Sequence, residues 1–465
     1  MMSTRKEIKM AKKGKTVFVC QECGYESAQW MGQCICGAWN SFIEEKVLSL
    51  EPEKDSRRRT TDAKPSKLVS VGAVQHKRID TGINELNRVL GGGLVKGSLT
   101  LISGEPGIGK STIIMQAAAN IASKGNTVLY VSGEESEEQL KLRADRLLNE
   151  IPESFLVISE TNMENVEIIC ENVKPSFLII DSIQTMYSDS LDSAPGSVSQ
   201  VRQVGNQLMK IGKTNNIPIF IVAHVTKSGD LAGPKIVEHL VDTVLNFTGE
   251  RDQEIRILRS YKNRFGTTSE IGAFMMQEAG LIEVGDISAT LLENKDEKIE
   301  GSVTTAIYEG SRPVMFEIQA LTSPCNIGFA RRTAIGIDVQ RLNMILAVLE
   351  KKVGLQLGNQ DVYVNVVGGI KPEGTNADLS VALSIYSSFK RVVPSKKTLA
   401  LGEIGLTGDL RSVQNAEKIA KEAARLGFEK IIMPKRNAEK ISNENFSIEV
   451  IGVKSLYDAL TEYVK

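Results

Sequence analysis

The segment Gly104-Glu105-Pro106-Gly107-Ile108-Gly109-Lys110-Ser111 sets the narrowest limits on what this chain can fold into. It matches G-x-x-x-x-G-K-[ST] and lies between an apolar run, Leu99–Ser103, and an amphipathic stretch from Thr112 to Ser123. A phosphate-binding loop requires that strand, loop and helix setting. Gly104, Gly107 and Gly109 free the backbone to turn its N–H groups inward, at the positive end of the following helix. On this reading residues Gly104 to Thr112 hold a nucleotide, Lys110 reaches its β- and γ-phosphates and the Ser111 hydroxyl ligates Mg²⁺. The alternative is a glycine-rich turn that matches by chance, which the agreement of strand, loop and helix disfavours.

The apolar runs Leu99–Ser103, Val128–Val131, Leu156–Ile158, Phe177–Ile180 and Ile217–Val222 read as buried strands, each separated by enough chain for a crossover helix. That pattern predicts a doubly wound α/β domain with a parallel sheet. Phe177-Leu178-Ile179-Ile180-Asp181 ends an apolar strand in a carboxylate, placed to hold a metal through water. Val128–Val131 runs into Ser132-Gly133-Glu134-Glu135 and so delivers a carboxylate to the sheet edge where ligands bind. Glu134 is assigned as the base that orients an attacking water, and Glu135 and Glu137 as charges of a helix first turn. His224, just past the strand Ile217–Val222, reaches the same edge and is a candidate γ-phosphate sensor; a structural histidine is the plainer reading.

At 465 residues the chain exceeds one core, and a prior of about 150 residues per domain gives roughly three units. Texture divides it into 1–50, basic and cysteine-bearing; 51–68, a charged linker; 69–285, the α/β domain; and 286–465, an α+β domain with a hairpin at Val303–Ile307 and Val314–Ile318. Hydrophobic content of 42% excludes a disordered chain. Apolar runs fall far short of the roughly 20 residues needed to cross a bilayer, and no apolar segment follows the basic start, so a cytoplasmic protein without a membrane span is expected. A net charge of −1 means that any nucleic-acid contact must come from local basic patches.

Of six cysteines, four are Cys20, Cys23, Cys34 and Cys36, bracketing Gly24, Gly32 and Gly37. Thiolates at that density with turn glycines predict a structural Zn²⁺ site, which would stabilise a segment too small to fold alone. A redox dithiol is the other reading.

Taken together, the cysteine element, the Gly104–Ser111 loop, Val131-Ser-Gly-Glu-Glu-Ser136 and Lys262-Asn263-Arg264-Phe265-Gly266 resemble the RecA/DnaB-like ATPases, and among them the RadA (Sms) family of bacterial DNA repair proteins, along almost the whole chain. The resemblance implies a homo-hexameric ring that hydrolyses ATP while translocating on single-stranded DNA, promoting branch migration on branched DNA alongside the RecA recombinase. It implies that Lys262 and Arg264 act near nucleotide or DNA, reaching a neighbouring subunit; a solvated basic turn is the alternative. Ser188–Arg202 and Thr226–Lys235 correspond by position to DNA-lining loops, with Arg202, Lys227 and Lys235 as backbone contacts.

Residues from Gly301 onward resemble the proteolytic domain of Lon, through Gly374-Thr375-Asn376-Ala377, Gly402-Glu403-Ile404, Leu406 and Gly408. Asn376 falls at the serine position and Glu417 at the lysine position, so the Ser–Lys chemistry is absent. Ser380 and Lys418 would form a dyad only in a shifted register. The domain is therefore expected to be an inactive scaffold, with Lys371, Lys390 and Arg391 available to DNA. A DNA-stimulated motor leads the functional readings; a non-motor ATP switch that recruits repair proteins is second, and an ATP-dependent protease is the least supported.

Overall fold

A computed structural model of the chain describes residues 15–20, 22, 24–47, 78–224, 234–249, 255–292, 299–325, 329–372, 374–441 and 446–465. The expected linker 51–68, Cys23, Thr226 and Lys227 lie outside them, as does the side chain of Lys235. The chain divides into two compact units. The first holds Met1–Thr248, Leu258–Thr268 and Met276–Leu281, and the second holds Gly249–Ile257, Ser269–Met275 and Ile282–Lys465.

The first unit begins with three antiparallel strands in the order β2-β1-β3: β1 (Lys15–Cys20), β2 (Glu26–Ser27) and β3 (Phe42–Val47). Among the described residues the buried apolar side chains of this element are Val19, Cys20, Cys34 and Phe42, a core far too small to hold a domain by burial alone. Then follow α1 (Asn84–Leu90), β4 (Leu99–Gly104), α2 (Lys110–Ser123), β5 (Val128–Ser132), α3 (Glu137–Leu147), β6 (Phe155–Ser159), α4 (Met163–Val173) and β7 (Phe177–Asp181). The series continues with α5 (Val198–Asn215), β8 (Ile219–Val222), α6 (Pro234–Leu240) and β9 (Thr243–Thr248), followed by β10 (Ile255–Asn263), β11 (Ile271–Gln277) and β12 (Gly280–Glu283), each with residues in both units.

These strands form one sheet in the order β12-β11-β10-β9-β4-β8-β7-β5-β6. From β9 to β6 neighbouring strands are parallel. β4, β5, β7 and β8 are buried along their whole length, which is why they read as unbroken apolar runs: helices cover both faces of a parallel sheet. β6 sits at the end of the order and leaves Leu156, Val157 and Ser159 exposed. Ser136 opens α3 with a capping box to Gln139, so the chain turns sharply into a helix just after Glu134 and Glu135.

The second unit contains α7 (Ile287–Leu292), β13 (Ser302–Glu309), β14 (Arg312–Pro324), β15 (Arg332–Ile335), α8 (Val339–Val348), β16 (Gln360–Val366) and α9 (Asp378–Lys390). It ends with β17 (Thr398–Ala400), β18 (Glu403–Ile404), β19 (Leu410–Arg411), α10 (Ala416–Arg425), β20 (Lys430–Pro434), α11 (Lys435–Ile441), β21 (Glu449–Val453) and α12 (Leu456–Val464). β13 and β14 pair as the expected antiparallel hairpin within a sheet of order β15-β16-β14-β13-β17-β20-β21. Alternation along β14 sends Met315 to one core, with Ile419 and Met433, and Phe316 to another, with Leu342 and Tyr463. Among the described residues no helix is long and apolar enough to cross a membrane.

Candidate functional site

Parallel pairing fixes what meets at the C-terminal edge of the first sheet. Ser132 lies opposite Asp181, Ile102 opposite Val222, and the Ala223 N–H donates to the Ile102 carbonyl at 2.9 Å. The loop after β4, the Ser132–Glu135 corner after β5, Asp181 at the end of β7 and His224 beyond β8 therefore share one edge, as a ligand crevice in an open α/β sheet requires.

In the loop, Gly104, Gly107 and Gly109 have φ of 150°, 80° and 115°. A Cβ on Gly104 would stand 2.9 Å from the Phe247 carbonyl oxygen, which leaves no room for a side chain, and at Gly109 the left-handed φ strains any other residue. Gly109 leads directly into α2, which places Ser111 and Thr112 in its first turn. Lys110 is 3% exposed, and its ammonium donates to the carbonyls of Gly104 at 2.8 Å and Glu105 at 3.0 Å. Burial draws its pKa down to about 8, against the upward pull of Asp181 and Glu134, whose charges reach it. A glycine-rich loop with a buried ammonium, leading into a helix whose first turn carries the Ser111 and Thr112 hydroxyls, with Asp181 on the same sheet edge, is a fitting donor set for a triphosphate with Mg²⁺, a hard cation that takes oxygen ligands.

The carboxylates are held in place. Ser182 is fully buried and its hydroxyl donates to Oε1 of Glu134 at 2.5 Å. His224 Nε2 stands 3.3 Å from the same oxygen without hydrogen-bond geometry, and neither ring nitrogen has a hydrogen-bond partner. Glu135 is turned away into an ion pair with Arg143, and burial raises its pKa. Asp181 accepts from the hydroxyl of Tyr130. Gln184 donates to the His224 carbonyl at 3.2 Å and ties the segment after β7 to the end of β8. Tyr130, Ser182 and Gln184 escaped the sequence reading. Ser182 alone carried a signal there, as a hydroxyl next to a strand-terminal carboxylate.

Lys262, Asn263, Arg264, Phe265 and Gly266 stand elsewhere. The Arg264 N–H donates to the carbonyl of Asp242, the residue before β9, at 3.1 Å. β9 runs parallel to β4 with Phe247 opposite Gly104, so this motif sits at the opposite end of the strands, roughly 15–20 Å from the chain's own phosphate loop at about 3.3 Å per residue. It is knotted into the fold: Asn263 Nδ2 donates to the Val89 carbonyl at 3.2 Å, Arg78 donates to the Phe265 carbonyl at 2.6 Å, and Gly266 packs against Gly91. Lys262 Nζ caps the end of α6 through the Glu238 carbonyl at 2.7 Å, and burial together with Arg264 lowers its pKa.

The loop before α5 is tied down by one side chain. The Gln200 side chain, 1% exposed, donates to the carbonyls of Ser188, Leu191 and Ser193 at 3.0–3.2 Å. Its charges before the exposed Arg202 are Asp189 and Asp192, which repel phosphate.

In the three-stranded element the Sγ atoms of Cys20, Cys34 and Cys36 lie within 4.8 Å of one another, and Cys20 and Cys36 are 3.9 Å apart. Zn–S bonds of about 2.3 Å in a tetrahedron require sulfur separations of about 3.8 Å, so the spacing fits. Gly24 and Gly37, at φ 70° and 94°, shape the two turns, where the Gly24 N–H reaches the Cys20 carbonyl and the Gly37 N–H the Cys34 carbonyl.

In the second unit, Ser380 is fully buried and donates to the Ala400 carbonyl at 2.6 Å, while Lys418 lies against Tyr308. Each is committed to another partner. The Asn376 carbonyl accepts from the Gly402 N–H at 2.9 Å, and Glu417 pairs with Lys421.

Comparison with known proteins agrees with this geometry. A family model described as "AAA domain" matches residues 62–230, one described as "Rubredoxin metal binding domain" matches 18–44, and one described as "Subunit ChlI of Mg-chelatase" matches 328–437. The fold and loop define a P-loop ATPase with a RecA-like core, an N-terminal metal-binding ribbon and a ChlI/Lon-like C-terminal region. The chain is 50% identical over 452 residues to the DNA repair protein RadA of Bacillus subtilis (strain 168), covering 96% of this chain and 98% of that one. It is 50% identical over 456 residues to RadA of Halalkalibacterium halodurans and 48% over 459 residues to RadA of Listeria monocytogenes, each match covering 97% of this chain and 99% of the other. The chain belongs to the RadA family of DNA repair proteins.

Proposed function

We propose that this chain is a DNA-stimulated ATP hydrolase that works as a homo-hexameric motor on single-stranded DNA and drives branch migration of recombination intermediates beside the RecA recombinase. The observation that carries the catalytic part is the Ser182–Glu134 hydrogen bond one residue beyond Asp181, at the sheet edge where Lys110 is buried. Lys110 neutralises the β- and γ-phosphates, the Ser111 hydroxyl ligates Mg²⁺, Asp181 holds the metal through water, and the amides of Gly104 to Thr112 cradle the phosphates. Glu134, held by Ser182, takes the proton of the attacking water. His224, with both ring nitrogens lacking partners beside Glu134, registers the γ-phosphate.

The position of Lys262 and Arg264 at the far end of the strands supports a role toward a neighbouring subunit or DNA rather than toward the chain's own nucleotide. Arg202 and Lys227 remain candidate DNA contacts. Cys20, Cys23, Cys34 and Cys36 hold a structural Zn²⁺, and the second unit serves as a proteolytically inactive scaffold. Motor and switch separate on forked DNA: the motor displaces a strand or moves the branch in an ATP-dependent manner, whereas a switch that only recruits partners leaves the fork intact with ATP present.

A further inference from the structure

We propose that Tyr130 is a positioning residue for the ATPase centre, its hydroxyl fixing the carboxylate of Asp181 in the orientation that holds Mg²⁺ through water. The inference rests on the reading of Asp181 as the metal-binding carboxylate. Tyr130 is fully buried in β5, in the run Val128-Leu129-Tyr130-Val131. Phenylalanine would fill such a place without a polar atom, and an oxygen in a dry sheet is costly unless it is hydrogen-bonded. The partner it has is Oδ2 of Asp181.

The register explains the reach. Ser132 lies directly opposite Asp181 on the neighbouring strand, and Tyr130, two residues earlier, shares its face, so the phenol extends along the sheet toward the carboxylate. The ring itself is fixed, packing against Phe155 with centroids 6.4 Å apart. A phenol hydroxyl can donate one hydrogen bond, and Tyr130 spends it on this carboxylate. A carboxylate with one oxygen tied to a rigid donor cannot rotate freely. Donors behind metal-binding groups typically matter by tenfold or more in metal affinity.

Mn²⁺ serves as a spectroscopic probe for Mg²⁺, titrated by electron paramagnetic resonance into the full chain at saturating ADP. Tyr130→Phe is expected to weaken Mn²⁺ binding roughly tenfold. Placing 4-aminophenylalanine at the position restores an N–H donor and returns the affinity to within about threefold of wild type. Asp181→Asn weakens binding as well, and the double variant binds no more weakly than Asp181→Asn alone, because both changes act through one carboxylate. Should Tyr130→Phe not fold, 4-methylphenylalanine, which fills the volume without a donor, takes its place against 4-aminophenylalanine. Wild-type Mn²⁺ affinity in Tyr130→Phe alongside a weakened Asp181→Asn overturns this inference alone. Wild-type affinity in Asp181→Asn overturns the underlying reading, and the inference with it.

Discussion

Arg264 and Asp242 are joined twice: the Arg264 N–H donates to the Asp242 carbonyl at 3.1 Å, and its guanidinium Nη1 donates to Oδ1 at 3.2 Å. The other carboxylate oxygen accepts from the Leu99 N–H at 3.1 Å and from Lys213 at 2.9 Å. One buried carboxylate thus anchors the start of the phosphate-loop strand and the Lys262–Gly266 segment together.

These two residues should respond differently to removal. Asp242→Ala strands a backbone donor and two cations and is expected to cost on the order of 3 kcal/mol in urea unfolding. The Arg264 side chain is 59% exposed, and Lys213 and Leu99 remain with Asp242 in its absence, so Arg264→Ala is expected to cost less than about 1 kcal/mol. Loss of DNA-stimulated turnover in Arg264→Ala at unchanged stability is the expected pattern for a residue that acts outside its own fold. A stability loss equal to that of Asp242→Ala would make it a structural tie.

Glu134→Gln keeps the size of the side chain and removes its basicity. Turnover is expected to fall by at least roughly a hundredfold while nucleotide binding by calorimetry is retained. Gly133→Ala should give a similar loss by another route. A Cβ there would stand 2.0 Å from Thr185 Oγ1, which donates to the Ser182 carbonyl, so the added methyl drives the Glu134 and Ser182 segments apart. Wild-type turnover in Gly133→Ala would contradict the tight corner.

The cysteines give a count and a pH dependence. With Zn²⁺ bound, the four ribbon thiols should resist a disulfide reagent at pH 8 and react after chelation, with about one Zn²⁺ released per chain. Four thiols reactive before chelation would favour the redox dithiol. Burial pushes the Cys170 thiol up from 9.0 to about 11, so it should stay unreactive in the folded chain. Its linkage has one sign: above pH 9 the unfolded thiol ionises while the folded one stays neutral, so stability falls as pH rises from 9 toward 11 and is unaffected by this group below 9.

The phosphate loop was legible because its chemistry restricts residue types: glycines for the inward turn, one ammonium, one hydroxyl. The core strands were legible because a doubly covered sheet must be apolar throughout. Tyr130 was not, since a tyrosine among Val and Leu reads as packing, and its role depends on a neighbouring strand 51 residues away in sequence. The Lys262–Gly266 motif was recognisable by its order, but its place at the far end of the strands depends on the run of β10 beside β9, which periodicity does not reveal. The hydrogen bonds that tie down the loop after Ser188 were not legible, because the Gln200 amide that makes them lies within the following helix.

The most direct test is steady-state ATP turnover by the full chain with and without single-stranded DNA, in wild type and in Lys110→Ala. The account predicts Mg²⁺-dependent turnover that DNA raises severalfold and that Lys110→Ala reduces to background. Turnover that persists in Lys110→Ala, or a folded wild-type chain that hydrolyses no ATP with Mg²⁺ and DNA present, would contradict it.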